Sequence, residues 1–451
     1  MGRQQERIAL LALLTTACFG GVRAGAAVRK ITTALEAGKP VYMAGFGNNR
    51  VATGVHDDLY TRCLALKSGG EPVVICAVDS IGLFLDDVQK IRAGVPKAKV
   101  IVAATHSHQT PDTMGLWGPR EGVSGIDEAY NALVVTRTIE AANAALKSMR
   151  RARATLATTH PPELDSFIDD DRPPIVHDAD LIVLRLTRNN GQGIATLINW
   201  ANHPEALGSR NTLLTADFPW ALCRDTESRL GGVTLFVNGA LGGMQSPLGA
   251  KVRDPRYNDF APPNSFRFAE VIGSRVADIA IDAITNSPAV KLDRIEYREE
   301  TVKIPVTNEG FKAAAKIDLY RGRKAFGADG TTSTVVGLLR ATRRGKPVLE
   351  AAAIPGEAYP ELTAGGAEKY PEADFPDAPV EVPVKKQMTA PHRMVFGIAN
   401  DEIGYIVPKA EWDEKPPYLK GSAKRWYGEI NAVGPDAGPM IVDAVTRLLK
   451  Q

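Results

Sequence analysis

The chain has 451 residues, of which 44% are hydrophobic and 24% are charged, and its formal net charge at pH 7 is +2. This length and composition are those of a globular protein with a large core. A charge so close to zero gives no case for nucleic-acid binding or for a polybasic membrane surface.

The N-terminus has the three parts of a secretory signal. Two arginines precede an apolar run at residues 8–19, and small residues follow at 24–27. The run is too short for a permanent membrane anchor, and the order of the parts argues against a buried N-terminal helix. We therefore predict a signal peptide at residues 1–26 and a secreted or periplasmic protein. Cys18 adds a weak lipoprotein signal, and lipidation is kept as the minor alternative.

Three cysteines remain after the signal: Cys63, Cys76 and Cys223. An odd number argues against a disulfide framework. Cys76 lies inside an apolar run and is expected to be a small buried side chain, while one bridge is open but not required. No Cys-x-x-Cys spacing exists, so a zinc site would have to use histidine and oxygen ligands.

Strand-like and helix-like segments alternate along the remaining chain. Strands are predicted at residues 73–78, 99–104, 180–186 and 194–200, the last two as a hairpin around an Asn-Asn-Gly turn. Helices are predicted at residues 127–149, 264–286 and 435–450 and after the N-cap Asp217. The alternation favours an α/β fold with a mixed β-sheet flanked by helices. Because no linker stands out, we predict a single large catalytic domain at residues 27–451.

Five apolar, strand-like runs end in side chains that can do chemistry. These side chains are His106 and His108, His203, Ser246, Glu357 and Tyr405. In open α/β sheets, functional groups collect just past the carboxyl ends of strands, where we expect the active site. Two imidazoles, a carboxylate, a phenol and a hydroxyl delivered in this way are the parts of a zinc hydrolase.

The histidines are the strongest local signal. His106 and His108 project to the same side if the chain stays extended, so one can bind a metal while the other contacts a substrate oxygen. His203 is a second candidate ligand and Glu357 a carboxylate ligand, because catalytic zinc is held by N and O atoms and keeps one position for water. Each residue alone is also compatible with packing or with a solvated loop. Tyr405 is the least typical candidate, and no His-Glu-x-x-His helix is present.

Ser246 follows a glycine-rich stretch, residues 239–245. Such a stretch lets backbone N–H groups approach a ligand closely. The hydroxyl could act as a nucleophile, hold a substrate, or belong to a turn before Pro247. The pattern is not Gly-x-Ser-x-Gly, so an α/β-hydrolase elbow is not indicated.

In order along the chain, these segments resemble the catalytic domain of the neutral/alkaline (non-lysosomal) ceramidase family. Residues 104–108 are similar to its Ala-Thr-His-Thr-His, and residues 199–204 to its Asn-Phe-Ala-Thr-His-Pro. Residues 243–247 resemble its Gly-Asp-Val-Ser-Pro, residues 355–357 match its Pro-Gly-Glu, and residues 400–406 resemble its Asn-Asp-Tyr-Ala-Gly-Tyr-Val. Residues 45–56 also resemble the opening of the family.

The resemblance implies a role for each matched residue. The zinc ligands would be His106, His203, Glu357 and Tyr405, and His108 would contact the scissile amide and the developing oxyanion. Ser246 would match a serine implicated in catalysis. Two further residues are implied to bind substrate, Tyr427 and Arg172.

Two departures from the family pattern bear on specificity. Met244 stands where the family has Asp before its Ser-Pro pair, which alters the surroundings of Ser246. The chain ends at Gln451, soon after the last motif, so the C-terminal immunoglobulin-like domain of the family is expected to be absent.

The resemblance implies a secreted zinc-dependent amidohydrolase acting on a linear amide. It would cleave the N-acyl amide bond of ceramide or a related N-acyl lipid by zinc-activated water, with assistance from Ser246. The alternatives are a zinc esterase or lactonase, and a non-catalytic ligand-binding protein on the same fold. We expect a small-molecule N-acyl or lipid substrate, allow for peripheral membrane contact, and infer no nucleic-acid or protein partner.

Overall fold

Three β-sheets of four or five strands form the frame of this protein. The structure is a computed structural model, and it describes residues 21–170, 172–178, 180–243, 245–320, 327 and 329–451. The predicted signal therefore lies mostly outside the described residues, and so does Met244.

The bounds of the elements follow in chain order. The first part of the chain contains β1 (Arg23–Lys30), β2 (Gly54–Val55), β3 (Tyr60–Lys67), β4 (Val73–Val78), α1 (Leu85–Ala93), β5 (Lys99–Ala104), α2 (Glu128–Ser148), β6 (Arg150–Arg151), β7 (Arg153–Thr159), β8 (Leu181–Thr187), β9 (Gly193–Trp200) and β10 (Leu213–Leu214). The second part contains α3 (Phe218–Leu230), β11 (Val233–Asn238), β12 (Arg253–Asp254), β13 (Asp259–Phe260), α4 (Phe266–Thr285), β14 (Ala289–Val290), β15 (Arg294–Pro305), α5 (Glu309–Lys316), β16 (Thr331–Arg343), β17 (Lys346–Ala353), β18 (Glu357–Ala358), α6 (Pro360–Thr363), α7 (Val384–Gln387), β19 (His392–Phe396), β20 (Tyr405–Ile406), α8 (Tyr427–Ile430) and α9 (Ala437–Lys450). Short 3-10 helices lie at Asp165–Phe167, Lys409–Glu411 and Leu419–Gly421.

Each large sheet has a parallel pair of strands at one edge, and its other neighbouring strands are antiparallel. The first sheet has the order β5-β4-β3-β1-β6, the second β11-β9-β8-β7-β14, and the third β15-β16-β17-β19. The parallel pairs are β4 with β5, β9 with β11, and β17 with β19. The predicted α/β class and mixed pairing are confirmed. The strands form three mixed sheets, however, where the sequence analysis predicted one.

The inner faces of the three sheets meet in a common core, and helices cover their outer faces. Ile75, Leu197 and Phe396, one from each sheet, belong to this central cluster. Outside, α1 and α2 cover the first sheet, α3 and α4 cover the second, and α9 covers the third. Strands buried on both sides are expected to be continuously apolar, as Val73–Val78 is.

A side chain joins the second sheet to the third. The Nδ2 of Asn199 in β9 donates to the carbonyl oxygens of Val237 at 2.9 Å and Val395 at 2.7 Å. Isolated backbone bonds add to this contact, among them Gly397 N–H to Asn238 O at 3.0 Å. The two sheets are therefore held together at this end without a continuous ladder of paired strands.

The predicted local elements agree with the structure. The helix predicted at residues 127–149 is α2, and its N-cap Asp127 accepts hydrogen bonds from the N–H groups of Ala129 and Tyr130. The predicted hairpin is formed by β8 and β9, with Gly191 at a φ of 86° in its turn. Among the described residues, no helix has the length and apolar content needed to cross a membrane.

β1 begins at Arg23, inside the span 1–26 that we assign to a signal peptide. Its residues 23–26 pair with residues 64–67 of β3, and Ala24 is fully buried. The signal peptide, its boundary and the export of the protein stay predictions.

Cys63 and Cys76 form a disulfide between β3 and β4. The two residues are directly opposite in the antiparallel register, which is the reason that they can be bridged. The sequence left this bridge open because the register of neighbouring strands was not known. Cys223 is a buried thiol, and burial raises its pKa to about 12.

Candidate metal centre and active site

The parallel edge pairs bring most of the candidate residues to one place. His106 and His108 follow β5, and His203 follows β9. Glu357 and Tyr405 open the short strands β18 and β20, which pair with each other in register after β17 and β19 have ended. The expectation that the active site lies at the carboxyl ends of strands therefore agrees with this placement.

His106 directs one ring nitrogen into the site because the backbone holds the other. Its Nδ1 lies 2.6 Å from the carbonyl oxygen of Ile81, an atom that can only accept. Nδ1 therefore donates this hydrogen bond, which leaves Nε2 as the nitrogen that faces the site. The backbone of His106 has a φ of 69°, in the left-handed region that few residues other than glycine adopt. The extended chain on which the sequence prediction rested is thus not found here.

His203 is held in the same way. Its Nδ1 lies 2.7 Å from the carbonyl oxygen of Gln245, and its backbone N–H donates to that oxygen at 2.9 Å. A hydrogen bond from Nδ1 to a backbone carbonyl is the arrangement that orients metal-binding histidines in proteins. Both histidines therefore turn Nε2 into the site, and in the neutral ring this nitrogen offers a lone pair to a metal ion.

Glu357 meets these two nitrogens. Its Oε2 lies 3.0 Å from His203 Nε2 and 3.5 Å from His106 Nε2. At these distances the carboxylate and the two ring nitrogens can share either a proton or a metal ion. Ligands about 2.1 Å from a tetrahedral zinc ion are about 3.4 Å from one another, so this donor set fits the ion.

The charges in the site favour a cation at this position. Burial alone would raise the pKa of Glu357, but His106 and His203 outweigh it and hold this pKa well below its usual range. Burial alone would lower the pKa of His203, but the hydrogen bond to Glu357 and the charge of Glu205 raise it. An anionic carboxylate between two imidazoles attracts a proton or a metal ion.

Tyr405 completes the predicted ligand set. Its hydroxyl lies 3.5 Å from His203 Nε2. Burial and then the negative charge of Glu357 raise its pKa well above the usual range, so the phenol keeps its proton in the field of the protein alone. Tyr427 packs edge-on against Tyr405 at 5.6 Å between ring centroids and is 51% exposed, which places it at the mouth of the site.

His108 is buried beside the two proposed ligands. Its ring centroid lies 5.0 Å from that of His106 and 5.6 Å from that of His203. Neither of its ring nitrogens has a hydrogen-bond partner within the described part of the chain. Burial first, and then the neighbouring imidazoles, lower its pKa well below the usual value, so the ring is neutral. Unpartnered buried nitrogens in such a place are suited to a ligand or a substrate.

The structure also offers a second metal set. One nitrogen each from His106, His108 and His203 lie within 4.8 Å of one another. The two sets share His106 and His203 and differ in the third ligand. The Glu357 oxygen is closer to both shared nitrogens than 4.8 Å, so we favour Glu357 as the third ligand.

Three residues that support His108 were not identified from the sequence. Arg50 donates to the carbonyl oxygens of Ala44 and His108. Gly45 has a φ of 103°, and a Cβ atom there would lie 2.4 Å from the His108 ring. Glu205 Oε2 lies 3.3 Å from His108 Nδ1, without the alignment of a hydrogen bond. The only local signals were the Gly-Phe-Gly run and the position of Glu205 two residues after His203.

Ser246 does not join the histidines through any contact that we find in the described residues. Its hydroxyl accepts a hydrogen bond from the N–H of Leu248 at 3.1 Å, as a turn serine does. The glycine-rich stretch before it approaches the backbone beside Glu357, since Gly242 N–H donates to Ala358 O at 2.9 Å. The role of Ser246 in catalysis stays a prediction.

Arg172 is buried in an ion network behind the site. Its guanidinium contacts Glu429 at 2.6 Å and Glu411 at 3.3 Å. It also lies 4.8 Å over the ring of Tyr359, which packs edge-on against Tyr405. These contacts point inward, and the predicted role in substrate binding stays a prediction.

A cavity of about 130 Å³ opens next to His106, His108 and Glu357. Its remaining wall is largely apolar and includes Phe84, Met114, Leu116, Trp117, Phe311 and Tyr320. An apolar cavity with a few convergent polar groups is the usual form of a small-molecule site.

Fold and site together define a mixed α/β protein with a buried histidine–carboxylate centre at strand ends. Two solved structures have this fold. One is neutral ceramidase from Pseudomonas aeruginosa, with a TM-score of 0.70 and 15% identity, matched over 95% of this chain and 75% of that chain. The other is a ceramidase complexed with C2, with a TM-score of 0.69, 15% identity and the same coverage, 95% and 75%. No family model matches the sequence, and no curated protein matches it significantly. The resemblance to neutral ceramidases is thereby confirmed as a likeness of fold.

Proposed function

We propose that this protein is an exported, zinc-dependent hydrolase that cleaves the N-acyl amide bond of ceramide or a related N-acyl lipid. One observation carries the proposal. His106 and His203 each give Nδ1–H to a backbone carbonyl and turn Nε2 towards the same oxygen of Glu357. The fold shared with neutral ceramidases supports a hydrolase, and the apolar cavity beside the centre supports an acyl substrate.

Different residues of the chain would bind the metal, stabilise the oxyanion and transfer the proton. A bound zinc ion would polarise the amide carbonyl and make a water molecule more acidic. His106, His203, Glu357 and Tyr405 would hold that ion. Neutral His108 has no hydrogen-bond partner among the described residues, so its N–H can donate to the oxygen that becomes negative in the transition state. Glu205, whose Oε2 lies 3.3 Å from His108 Nδ1, would serve as the nearby base that accepts a proton from the attacking water and delivers it to the leaving amine.

The apolar wall contributes by excluding water. Phe84, Met114 and Trp117 line the cavity beside the histidines and carry few polar groups. In such surroundings the interactions of His108 and Glu357 with a developing charge are stronger than in water.

Metal content tests the centre directly. The purified protein is expected to hold about one equivalent of zinc, and His106→Ala is expected to hold almost none, because three ligands of this kind are needed for tight binding. His160→Ala is the matched control, since His160 is an exposed histidine that pairs with Asp165 and Asp180. Elemental analysis of the three proteins, with circular dichroism to verify folding, gives the comparison.

The outcomes separate the proposal from its alternatives. Full zinc content in His106→Ala would contradict the centre. With zinc established, an N-acylsphingosine and a matched ester are assayed in parallel. Turnover of the amide supports the proposal, and turnover of the ester alone supports an esterase or lactonase. Stoichiometric zinc with no turnover of either substrate supports a binding protein.

The disulfide supports the proposal of export, because such bonds persist in oxidising compartments. Cys63 and Cys76 are separated by 13 residues, and closing a loop of this length is worth about 3 kcal/mol. Replacing both cysteines by alanine is expected to lower the free energy of unfolding by about this amount. Denaturant unfolding with and without reductant checks the prediction: reductant should destabilise the wild type and leave the double variant unchanged. A wild type that is insensitive to reductant would speak against the bridge.

A further inference from the structure

The cavity at the proposed metal centre shares a wall with a much larger groove. The cavity has a volume of about 130 Å³, and the groove, between α1 and α2, has a volume of about 600 Å³. Phe84 and Tyr320 line both spaces. Residues that face two adjoining spaces lie between them, so these two side chains form the partition.

The partition is an aromatic pair that is packed on both sides. The rings of Phe84 and Tyr320 meet edge to face, with centroids 5.7 Å apart and an interplanar angle of 83°. Both residues are buried, and they pack in one cluster with Ile81 and Met114 of the cavity wall. Contacts of this kind stabilise the closed arrangement by more than their buried area alone.

The position of Phe84 in the chain is unusual for an aromatic residue. Phe84 is the N-cap of α1, where Ser, Thr, Asp or Asn is preferred, and it makes no side-chain cap hydrogen bond. The N–H of Leu85 is instead bonded to Asp401 Oδ1 at 2.9 Å. A carboxylate from a distant part of the chain thus accepts a hydrogen bond from a free N–H group of the first turn of α1. Because the capping acceptor comes from elsewhere, residue 84 can be aromatic.

The volume of the cavity sets the size of the group that it can surround. An apolar protein cavity of about 150 Å³ accepts a molecule of the size of benzene, with six carbons. A cavity of 130 Å³ therefore accepts an acyl group of about six carbons or fewer. A longer chain would have to extend beyond the cavity, and the groove of about 600 Å³ adjoins it at Phe84 and Tyr320. The lining of the groove is mixed, with Ala93, Ile126 and Val135 beside charged side chains of α1 and α2.

We infer that Phe84 and Tyr320 set the acyl-chain length that this protein accepts, restricting the native protein to short acyl groups. The inference rests on the proposed function, because it names the class of acyl group bound at that site. It does not require that the bound compound be hydrolysed.

Binding of straight-chain carboxylates tests the inference. Hexanoate and decanoate are titrated into the zinc-loaded protein and followed by calorimetry; the two probes share a head group and differ by four methylene groups. Wild type is expected to bind decanoate no more tightly than hexanoate. In Phe84→Ala/Tyr320→Ala, each added methylene should raise affinity about fourfold, so decanoate should bind on the order of 100-fold more tightly.

Two controls locate the effect. Leu116→Ala removes an apolar side chain that lines the cavity but not the groove, so it should leave the decanoate advantage within a few fold. Ala132→Trp, on the exposed face of α2 in the groove, should abolish the gain when it is added to the double variant. If the double variant does not fold, Phe84→Leu replaces it. This change removes the ring from the partition but keeps an apolar side chain of similar volume. It should raise the affinity for decanoate relative to hexanoate, by less than the double variant would.

The result distinguishes the inference from the proposed function. A wild type that binds decanoate 100-fold more tightly than hexanoate, or variants without any gain, would overturn the inference.

Hydrolysis of N-hexanoyl and N-decanoyl amides is measured on the same proteins. If binding shifts as expected and no amide is cleaved, the proposed function fails while the partition stands. If amides are cleaved without any change in chain-length preference, the partition fails while the function stands.

Discussion

Glu357→Gln is expected to abolish zinc binding and to lower the rate of hydrolysis about thousandfold. Glutamine has nearly the shape of glutamate but no charge, and its amide nitrogen can donate to the Nε2 atoms that now face Oε2 at 3.0 Å and 3.5 Å. A hydrogen bond from the glutamine amide to an imidazole nitrogen would then occupy the position proposed for the cation. Loss of a metal that supplies several kcal/mol of transition-state stabilisation corresponds to about three orders of magnitude.

Glu361→Gln is the matched control for this change. Glu361 is also buried, four residues further along, and burial raises its pKa to about 8. Its carboxyl group is therefore largely protonated at neutral pH, and replacing it by an amide changes little charge. Zinc content and kcat/KM are measured for both variants. A Glu357→Gln protein with normal zinc would remove Glu357 from the ligand set.

His108→Ala is expected to retain zinc and to lower kcat 10²- to 10³-fold. Removing one donor to a developing oxyanion typically costs about 3–4 kcal/mol of activation free energy. The KM for the amide should change much less than kcat, since the interaction strengthens only in the transition state.

The same variant decides between the two metal sets. If His108 is the third ligand, as the group of three histidines allows, His108→Ala should lose zinc together with activity. If Glu357 is the third ligand, zinc remains and only kcat falls. Elemental analysis and steady-state kinetics on one protein preparation therefore give opposite patterns for the two assignments.

The sequence predicted the elements and most of the site because both depend on local patterns. The helix after Asp127 and the hairpin around Gly191 are specified by a cap residue and a turn residue. His106, His203 and Glu357 were identifiable because each directly follows an apolar strand. Their order along the chain resembles that of the motifs of neutral ceramidases.

Other features depend on which strands become neighbours, and no local pattern contains that information. The Cys63–Cys76 bridge needed the register of β3 and β4. The support of His108 by Gly45 and Arg50 needed the packing of a loop more than fifty residues away. The left-handed backbone of His106 could not be predicted from the sequence either, because a histidine residue does not indicate a positive φ in the way that glycine does.

The link through Asn199 has a consequence for how the centre is assembled. His203 belongs to one side of this junction, and Glu357 and Tyr405 belong to the other, with few backbone bonds across it. A divalent ion coordinated from both sides would cross-link two sheets that otherwise meet through their shared core and a few hydrogen bonds, and its affinity would add to the stability of this junction. If the proposed ion is bound, chelation should expose the junction to hydrogen exchange before it unfolds the sheets, because the ion would then stabilise the packing of the sheets as well as take part in the reaction.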